Sequence, residues 1–268
     1  MATLVWLTPA LIALFLYGIG QGLIKKNIGD VPPARFCLYY VVAKAIVNLG
    51  YFLTQDHPAP FSPENREFML LGMLAYILDG AGWIMYFESI VAGPITIVGT
   101  LSAAYSAPTV LFGYLILGEA LRTMQYGGVA LVILGCVGLS YSPPDAASPV
   151  KGKRWIPLAV GALLFWGLAQ TTAKHAYGIA GSSEVNMSLF NTIGGALTLG
   201  LYGLLRDKGG HHSLANWGKS FLPMAMMAGG DLGVIIATSS GPISLVSPIS
   251  SAYPVVTILF ASYALKEK

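Results

Sequence analysis

The stretch SAAYSAPTVLFGYLILGEAL, residues 102–121, returns at the end of the chain as SSAYPVVTILFASYALKEK, residues 250–268. Laid over one another without a gap, the copies pair Ser102 with Ser250, Ala104 with Ala252, Tyr105 with Tyr253, Thr109 with Thr257, Phe112 with Phe260 and Glu119 with Glu267. The same offset carries back to Gly93 and Pro94, which meet Gly241 and Pro242. Two unrelated Leu/Ala-rich helices seldom keep so many anchors in register, so the chain is read as a duplication. In each copy an apolar run starts after Gly-Pro and stops at a Glu, which predicts one long helix with a polar boundary at its end.

Hydrophobic residues make up 55% of the chain and charged residues only 10%, where a soluble domain carries about a quarter. The mean hydropathy is +0.66. A bilayer core needs about 20 mostly apolar residues per spanning helix. Runs that satisfy this are expected at 4–23, 36–53, 68–90, 94–117 and 124–141, then at 155–177, 187–205, 221–239 and 243–265. The first is too long for a signal-peptide core and lacks a basic segment before it, so it is expected to remain as a helix. The fold class predicted is therefore an all-α polytopic membrane protein with nine spans. Residues 1–142 form a first repeat of five helices, 143–154 a linker, and 155–268 a second repeat of four, the tenth helix being absent from this sequence. An odd number of spans per repeat places the halves in opposite orientations, related by an inverted two-fold axis, an arrangement that suits a secondary transporter.

The net charge of +3 is scattered over loops in small groups, a topology signal and not a nucleic-acid footprint. The basic residues Lys25, Lys26, Arg35, Lys151, Lys153, Arg154, Arg206, Lys208, Lys219, Lys266 and Lys268 fall on one side, against Arg66, Arg122 and Lys174 on the other. The positive-inside rule then puts the loops 1–2, 5–6 and 7–8 in the cytoplasm and the N-terminus outside. Cys37 and Cys136 lie inside apolar runs without metal-ligand spacing, and His211 and His212 stand in a loop without further ligands, so neither a disulfide nor a metal site is expected. No hydrolase, zinc-protease or nucleotide-binding motif occurs, and neither enzymatic activity nor a cofactor is expected.

Lys44, Asp79 and Asp231 are charged residues well inside predicted spans. Lys44 lies at the centre of the second, where a charge costs about 3 kcal/mol on insertion scales and so needs a cavity or a partner. It shares a face with Tyr40, Asn48 and Tyr51. Its functional reading is a seat for a substrate carboxylate or phosphate, and its structural reading is an internal ion pair. Asp79 lies on a stripe with Tyr76, Trp83 and Tyr86, and Asp231 occupies the corresponding helix of the second repeat after a gap of about one turn. Each is a candidate for proton coupling or for pairing with a substrate amine, and either alternatively neutralises Lys44. On helix one, Tyr17, Gln21 and Lys25 form a stripe matched by Trp166, Gln170 and Lys174 on helix six. Gln21, Gln170, Asn48, Asn191, Thr171 and Thr172 supply neutral hydrogen-bonding groups for a polar solute, in a cavity walled by Tyr17, Trp166, Trp83, Tyr105 and Tyr253. Many such groups serve only as packing contacts, worth about 0.6 kcal/mol each. Glu119 and Glu267 sit at helix ends beside basic residues and receive a structural, capping role. Gly18 with Gly22, and Gly229 with Gly233, have the spacing that lets helices approach closely.

Pro108, Gly118, Glu119, Gln125, Gly128 and Gly135, with Pro254 and Glu267 in the second copy, give the chain its resemblance to the EamA-like members of the drug/metabolite transporter superfamily, which have two five-helix repeats. Lys266 replaces the glycine that precedes the Glu, and the tenth helix is a larger departure. Members of that family commonly keep both termini in the cytoplasm, at odds with the charge count. The resemblance implies transport across a membrane but little about the solute. One base and two acids facing one cavity favour an amino acid or similar zwitterion, with Lys44 on its anionic group. The alternatives are an exporter of cationic drugs, with Lys44 as counter-ion, and a non-transporting scaffold or receptor. The partners expected are a small-molecule substrate, the lipid bilayer of a plasma (bacterial inner) membrane and a second copy in a homodimer, with no nucleic acid.

Overall fold

The computed structural model describes residues 5–27, 31–139, 152–207 and 214–264. Among them stand nine helices: α1 (Leu7–Asn27), α2 (Pro33–Thr54), α3 (Arg66–Ala92), α4 (Ile95–Ala103 and Ser106–Leu117), α5 (Thr123–Leu139), α6 (Trp155–Tyr177), α7 (Glu184–Arg206), α8 (Leu214–Ser240) and α9 (Ile243–Ser251 and Tyr253–Ala264). Eight are long and apolar enough to cross a bilayer. Together with the fold they make, they identify an integral, multi-pass membrane protein. The ninth, α5, is shorter and lies at the periphery, with Met124, Leu131 and Leu134 exposed.

The duplication is visible in the packing. Helix α1 lies against α8, and its mate α6 lies against α3; α2 meets α8 as α7 meets α3. Close approach is needed where α1 and α6 each touch a broken helix. A Cβ on Gly18 would collide with Val256, and one on its mate Gly167 with Pro108. Gly22, Gly229 and Gly233 also sit at tight helix contacts.

The expectation of one continuous helix after each Gly-Pro needs correction. Both α4 and α9 are interrupted at mated alanines, Ala104 (φ −68°, ψ 6°) and Ala252 (φ −70°, ψ 6°). Proline is the cause in both, although at different positions. Pro108 has no N–H to give the Ala104 carbonyl and its ring crowds that oxygen, while Pro254 withdraws the donor that the Ser250 carbonyl would need. Tighter turns take over: the Ala107 N–H donates to Ala104 at 2.9 Å and the Val255 N–H to Ala252 at 3.1 Å. Helix α8 starts at Leu214, seven residues ahead of the predicted span, and carries Pro223 in its interior.

Two π-helical turns, Ala45–Leu49 in α2 and Ala196–Gly200 in α7, also occupy matching places. The α-helical part of α2 ends at Lys44 and that of α7 at Gly195. Lys44 and Gly195 are therefore repeat mates. The helices α3 and α8 both run without interruption to the mated Gly93 and Gly241, and that constant interval pairs Asp79 with Met227 and Trp83 with Asp231. The one-turn gap assumed from sequence to align the two aspartates is absent.

Glu119 explains the Gly-Glu at the end of α4. Gly118 closes the helix in the left-handed region at φ 66°, where glycine bears no Cβ penalty. The chain then turns so that the Glu119 carboxylate accepts the Ile243 and Ser244 N–H groups at 3.0 and 2.9 Å. The first repeat thus caps a helix of the second. Glu267, Lys266, Lys268, His211 and His212 lie outside the described residues, as do the side chains of Lys25 and Cys136 and most of the linker. Cys37 is buried as a free thiol.

Candidate functional site

Lys44 ends the first part of α2 and reaches into the middle of the bundle, 1% exposed. Room for it comes from the other repeat: a Cβ on its mate Gly195 would stand 3.2 Å from Lys44 Cδ. Its Nζ donates to Asp79 Oδ2 on α3 at 2.9 Å and to Asn191 Oδ1 on α7 at 2.8 Å, and lies 3.0 Å from Asp231 Oδ2 on α8. An ammonium has three N–H donors, and these three acceptors use all of them. The charge is also 4.8 Å from the centre of the Tyr40 ring, within cation–π range.

The two carboxylates are held differently. Asp231 accepts from Tyr17 Oη at 2.7 Å and from Tyr40 Oη at 2.5 Å, in addition to pairing with Lys44. Asp79 accepts from Lys44, with the Trp83 indole N–H close beside it. With both acids ionised the cluster carries one excess negative charge, and its more exposed acid is Asp79, at 19% against 8% for Asp231.

Two adjoining cavities border the cluster, with about 350 and 440 Å³ of space free of protein atoms, their open mouths included. The first is lined by five pairs of repeat mates: Tyr17 and Trp166, Gln21 and Gln170, Asp79 and Met227, Trp83 and Asp231, Tyr105 and Tyr253. It therefore straddles the axis that relates the repeats. Three pairs keep their chemistry, aromatic with aromatic and amide with amide. Two do not, and those two contain the carboxylates.

The second cavity shares Tyr17, Asp79, Gln170 and Asp231 with the first and adds Tyr76, Ala169, Ala173, Tyr177, Asn191, Val234, Ile235 and Thr238. These additions run toward the last turns of α6 and α8, on the membrane face that also holds Glu119. At that end Lys174 Nζ donates to the Thr238 carbonyl and Tyr177 Oη to the Ile235 carbonyl, both at 3.0 Å. Thr238 lies four residues before Pro242, which has no N–H for it, so Lys174 fills a bond the helix cannot make.

The side chains singled out by sequence divide into three groups. Tyr17, Gln21, Asp79, Trp83, Tyr105, Trp166, Gln170, Asp231 and Tyr253 line the first cavity and Asn191 the second. Lys44 and Tyr40 line neither and stand behind the acids, so Lys44 in this conformation faces its own carboxylates and offers no N–H to a solute. Asn48 is fully buried within the π turn of α2, its side-chain amide without a hydrogen bond among the described residues, while its backbone carbonyl accepts from Ser188 at 3.1 Å. Thr171 and Thr172 bond back to their own helix, at Gly167 and Leu168, as packing threonines do.

Within the first cavity Tyr86 donates to Gln21 at 2.7 Å. Gln170 Oε1 and the indole N–H groups of Trp83 and Trp166 are buried without protein partners among the described residues. Tyr105 meets Ser250 at 3.2 Å and Tyr253 donates to the Gly99 carbonyl at 3.2 Å, each reaching into the opposite repeat at the helix breaks. Met227, Tyr76 and Tyr177 escaped the sequence reading as lining residues. Met227 could have been found as the repeat mate of Asp79 once the gap was dropped. Among the described residues no three His, Cys, Asp or Glu side chains cluster as metal ligands would.

A model of the EamA-like transporter family matches residues 4–141 and 153–268. A solved structure whose title reads only "Crystal structure of protein" superposes with a TM-score of 0.74 at 17% identity, over 97% of this chain and 90% of that one, a likeness of fold alone. No curated protein matches the chain.

Proposed function

The chain belongs to the EamA-like transporter family of the drug/metabolite transporter superfamily, and from that premise we propose that it is a secondary carrier for a small polar metabolite bearing an ammonium group. Membrane transport comes with the family; the solute is read from the central cavity. The observation that carries the reading is the imbalance of the cluster, two carboxylates against one lysine whose N–H groups are all engaged. A cavity of that sign walled by Tyr17, Trp83, Tyr105, Trp166 and Tyr253 suits a cation, which gains from both carboxylate and ring faces. Asp79 is the seat for the ammonium, since it has the fewest partners and the larger exposure. Asp231, held by two tyrosines and the lysine, positions Lys44. Gln21 and Gln170 serve the neutral polar groups of the solute. Alternating access follows from rocking of one repeat against the other about the cavity they share, and exchange of a proton for the solute at Asp79 is the simplest coupling.

An amino acid satisfies this description, and its carboxylate would need Lys44 to be released from one acid on binding. A simple cationic amine is the second reading, favoured by the saturation of Lys44, because it asks for no such rearrangement. The test is uptake into proteoliposomes of labelled amino acids, monoamines and amine-free organic acids. Amine-bearing solutes should accumulate, and Asp79→Asn should abolish accumulation while the protein stays folded. Uptake confined to organic acids, or full activity in Asp79→Asn, overturns the proposal.

A further inference from the structure

None of the three buried charges has a charged repeat mate. Lys44 corresponds to Gly195, Asp79 to Met227 and Asp231 to Trp83, yet the three converge within hydrogen-bonding distance from α2, α3 and α8. Lys44 touches one acid from each repeat and lines neither cavity. Such a residue does not read the solute by contact. It fixes how much negative charge the solute meets.

We infer that Lys44 is the residue that determines substrate charge: by cancelling one of the two aspartates it leaves a net single negative charge at the cavity, so that the site takes one ammonium group and rejects two. This rests on the amine reading above. With every remaining aspartate ionised, the excess charge follows by counting: one negative in the wild type, two in Lys44→Met, one again in Lys44→Met with Asp231→Asn, and none in Asp231→Asn alone. Methionine keeps much of the length of lysine without its charge, and it fits the space over Gly195. The double variant restores the charge count by a different set of side chains, which a purely structural role for Lys44 would not reproduce.

The experiment is calorimetric titration of the purified full chain in detergent with butylamine and with putrescine, the latter carrying a second ammonium on the same four-carbon stem. Wild type should bind butylamine more tightly. Lys44→Met should shift the ratio of the two dissociation constants toward putrescine by about tenfold or more, a unit charge at close range being worth that much at the partial screening of a protein site. The double variant should return the ratio to the wild-type side, and Asp231→Asn alone should weaken both amines. Wild type that binds neither amine sinks the amine reading itself. Wild type that prefers butylamine, with a ratio unchanged in Lys44→Met or unrestored in the double variant, sinks the charge assignment and leaves the amine reading standing.

Discussion

Glu119→Ala removes two hydrogen bonds whose geometry is specific. The carboxylate takes the Ile243 N–H on Oε1 at 3.0 Å and the Ser244 N–H on Oε2 at 2.9 Å, the first two donors of α9. A helix leaves its first four N–H groups without intrahelical partners, and here the residue in the capping position is Pro242, whose side chain cannot accept. Glu119 is thus a cap delivered from the other repeat, and its negative charge also lies at the positive end of the helix. Ordinary cap losses run about 0.5–2 kcal/mol, and a hydrogen bond to a charged acceptor is worth about 1.5–3 kcal/mol. The two bonds share one side chain and Glu119 is half-buried, so the sum is discounted to about 2 kcal/mol for the alanine variant. Glu119→Gln keeps one acceptor oxygen and should lose about 1 kcal/mol. Reversible unfolding in mixed micelles measures these differences, and hydrogen exchange localises them, with the Ile243 and Ser244 amides losing protection in Glu119→Ala. If that variant unfolds within about 0.5 kcal/mol of wild type and both amides stay protected, the cross-repeat cap is not what holds α9 in place.

Two further substitutions probe neighbouring parts of the argument. Gly195→Leu puts a side chain where Lys44 Cδ now passes and should drive the lysine off its acids, lowering transport by about tenfold or more; Gly195→Ala, whose Cβ would meet Cδ at 3.2 Å, should be far milder, and equal rates in the two variants would dissociate Gly195 from the site. Lys174→Met leaves the Thr238 carbonyl unpaired beside Pro242 and should cost about 1 kcal/mol of stability in the same unfolding assay. Lys174→Arg should retain most of it, and a methionine variant as stable as wild type would refute the role.

How far a sequence can disclose such a site depends on which of its parts are periodic. The fold was legible because Tyr105, Phe112 and Glu119 recur as Tyr253, Phe260 and Glu267, and the aromatic and amide walls were legible for the same reason: Tyr17 and Gln21 have mates in Trp166 and Gln170. The helix breaks were not, because Pro108 and Pro254 stand at different places relative to the shared anchors, and only the backbone shows that both interrupt the helix at the same mated alanine. The alignment of Asp79 with Asp231 assumed that like matches like. Uninterrupted helices ending at the mated Gly93 and Gly241 leave no room for a gap, and the acids turn out to be mates of Met227 and Trp83.

The role of Lys44 lies furthest from what a linear pattern can carry. A charge in the middle of a span announces that a partner or cavity exists, yet whether the ammonium has a donor to spare depends on how many acceptors reach it. Those acceptors come from Asp79, Asn191 and Asp231, on three other helices. Had one been missing, the lysine would have remained a candidate seat for an anion; with all three in place, the polarity of the site is reversed and the solute is expected to bring the positive charge. The repeat supplies a symmetric chamber, while on the reading proposed above its discrimination is set by three residues that break the symmetry, each opposite a mate that carries no charge. A glycine opposite the lysine is part of the same device, because a lysine of either repeat could reach the axis only if the other repeat left space for it. Bulky substitutions at Gly195 should therefore phenocopy those at Lys44 in charge preference, whereas substitutions at Gln21 or Gln170 should change affinity without moving the ratio between singly and doubly charged amines.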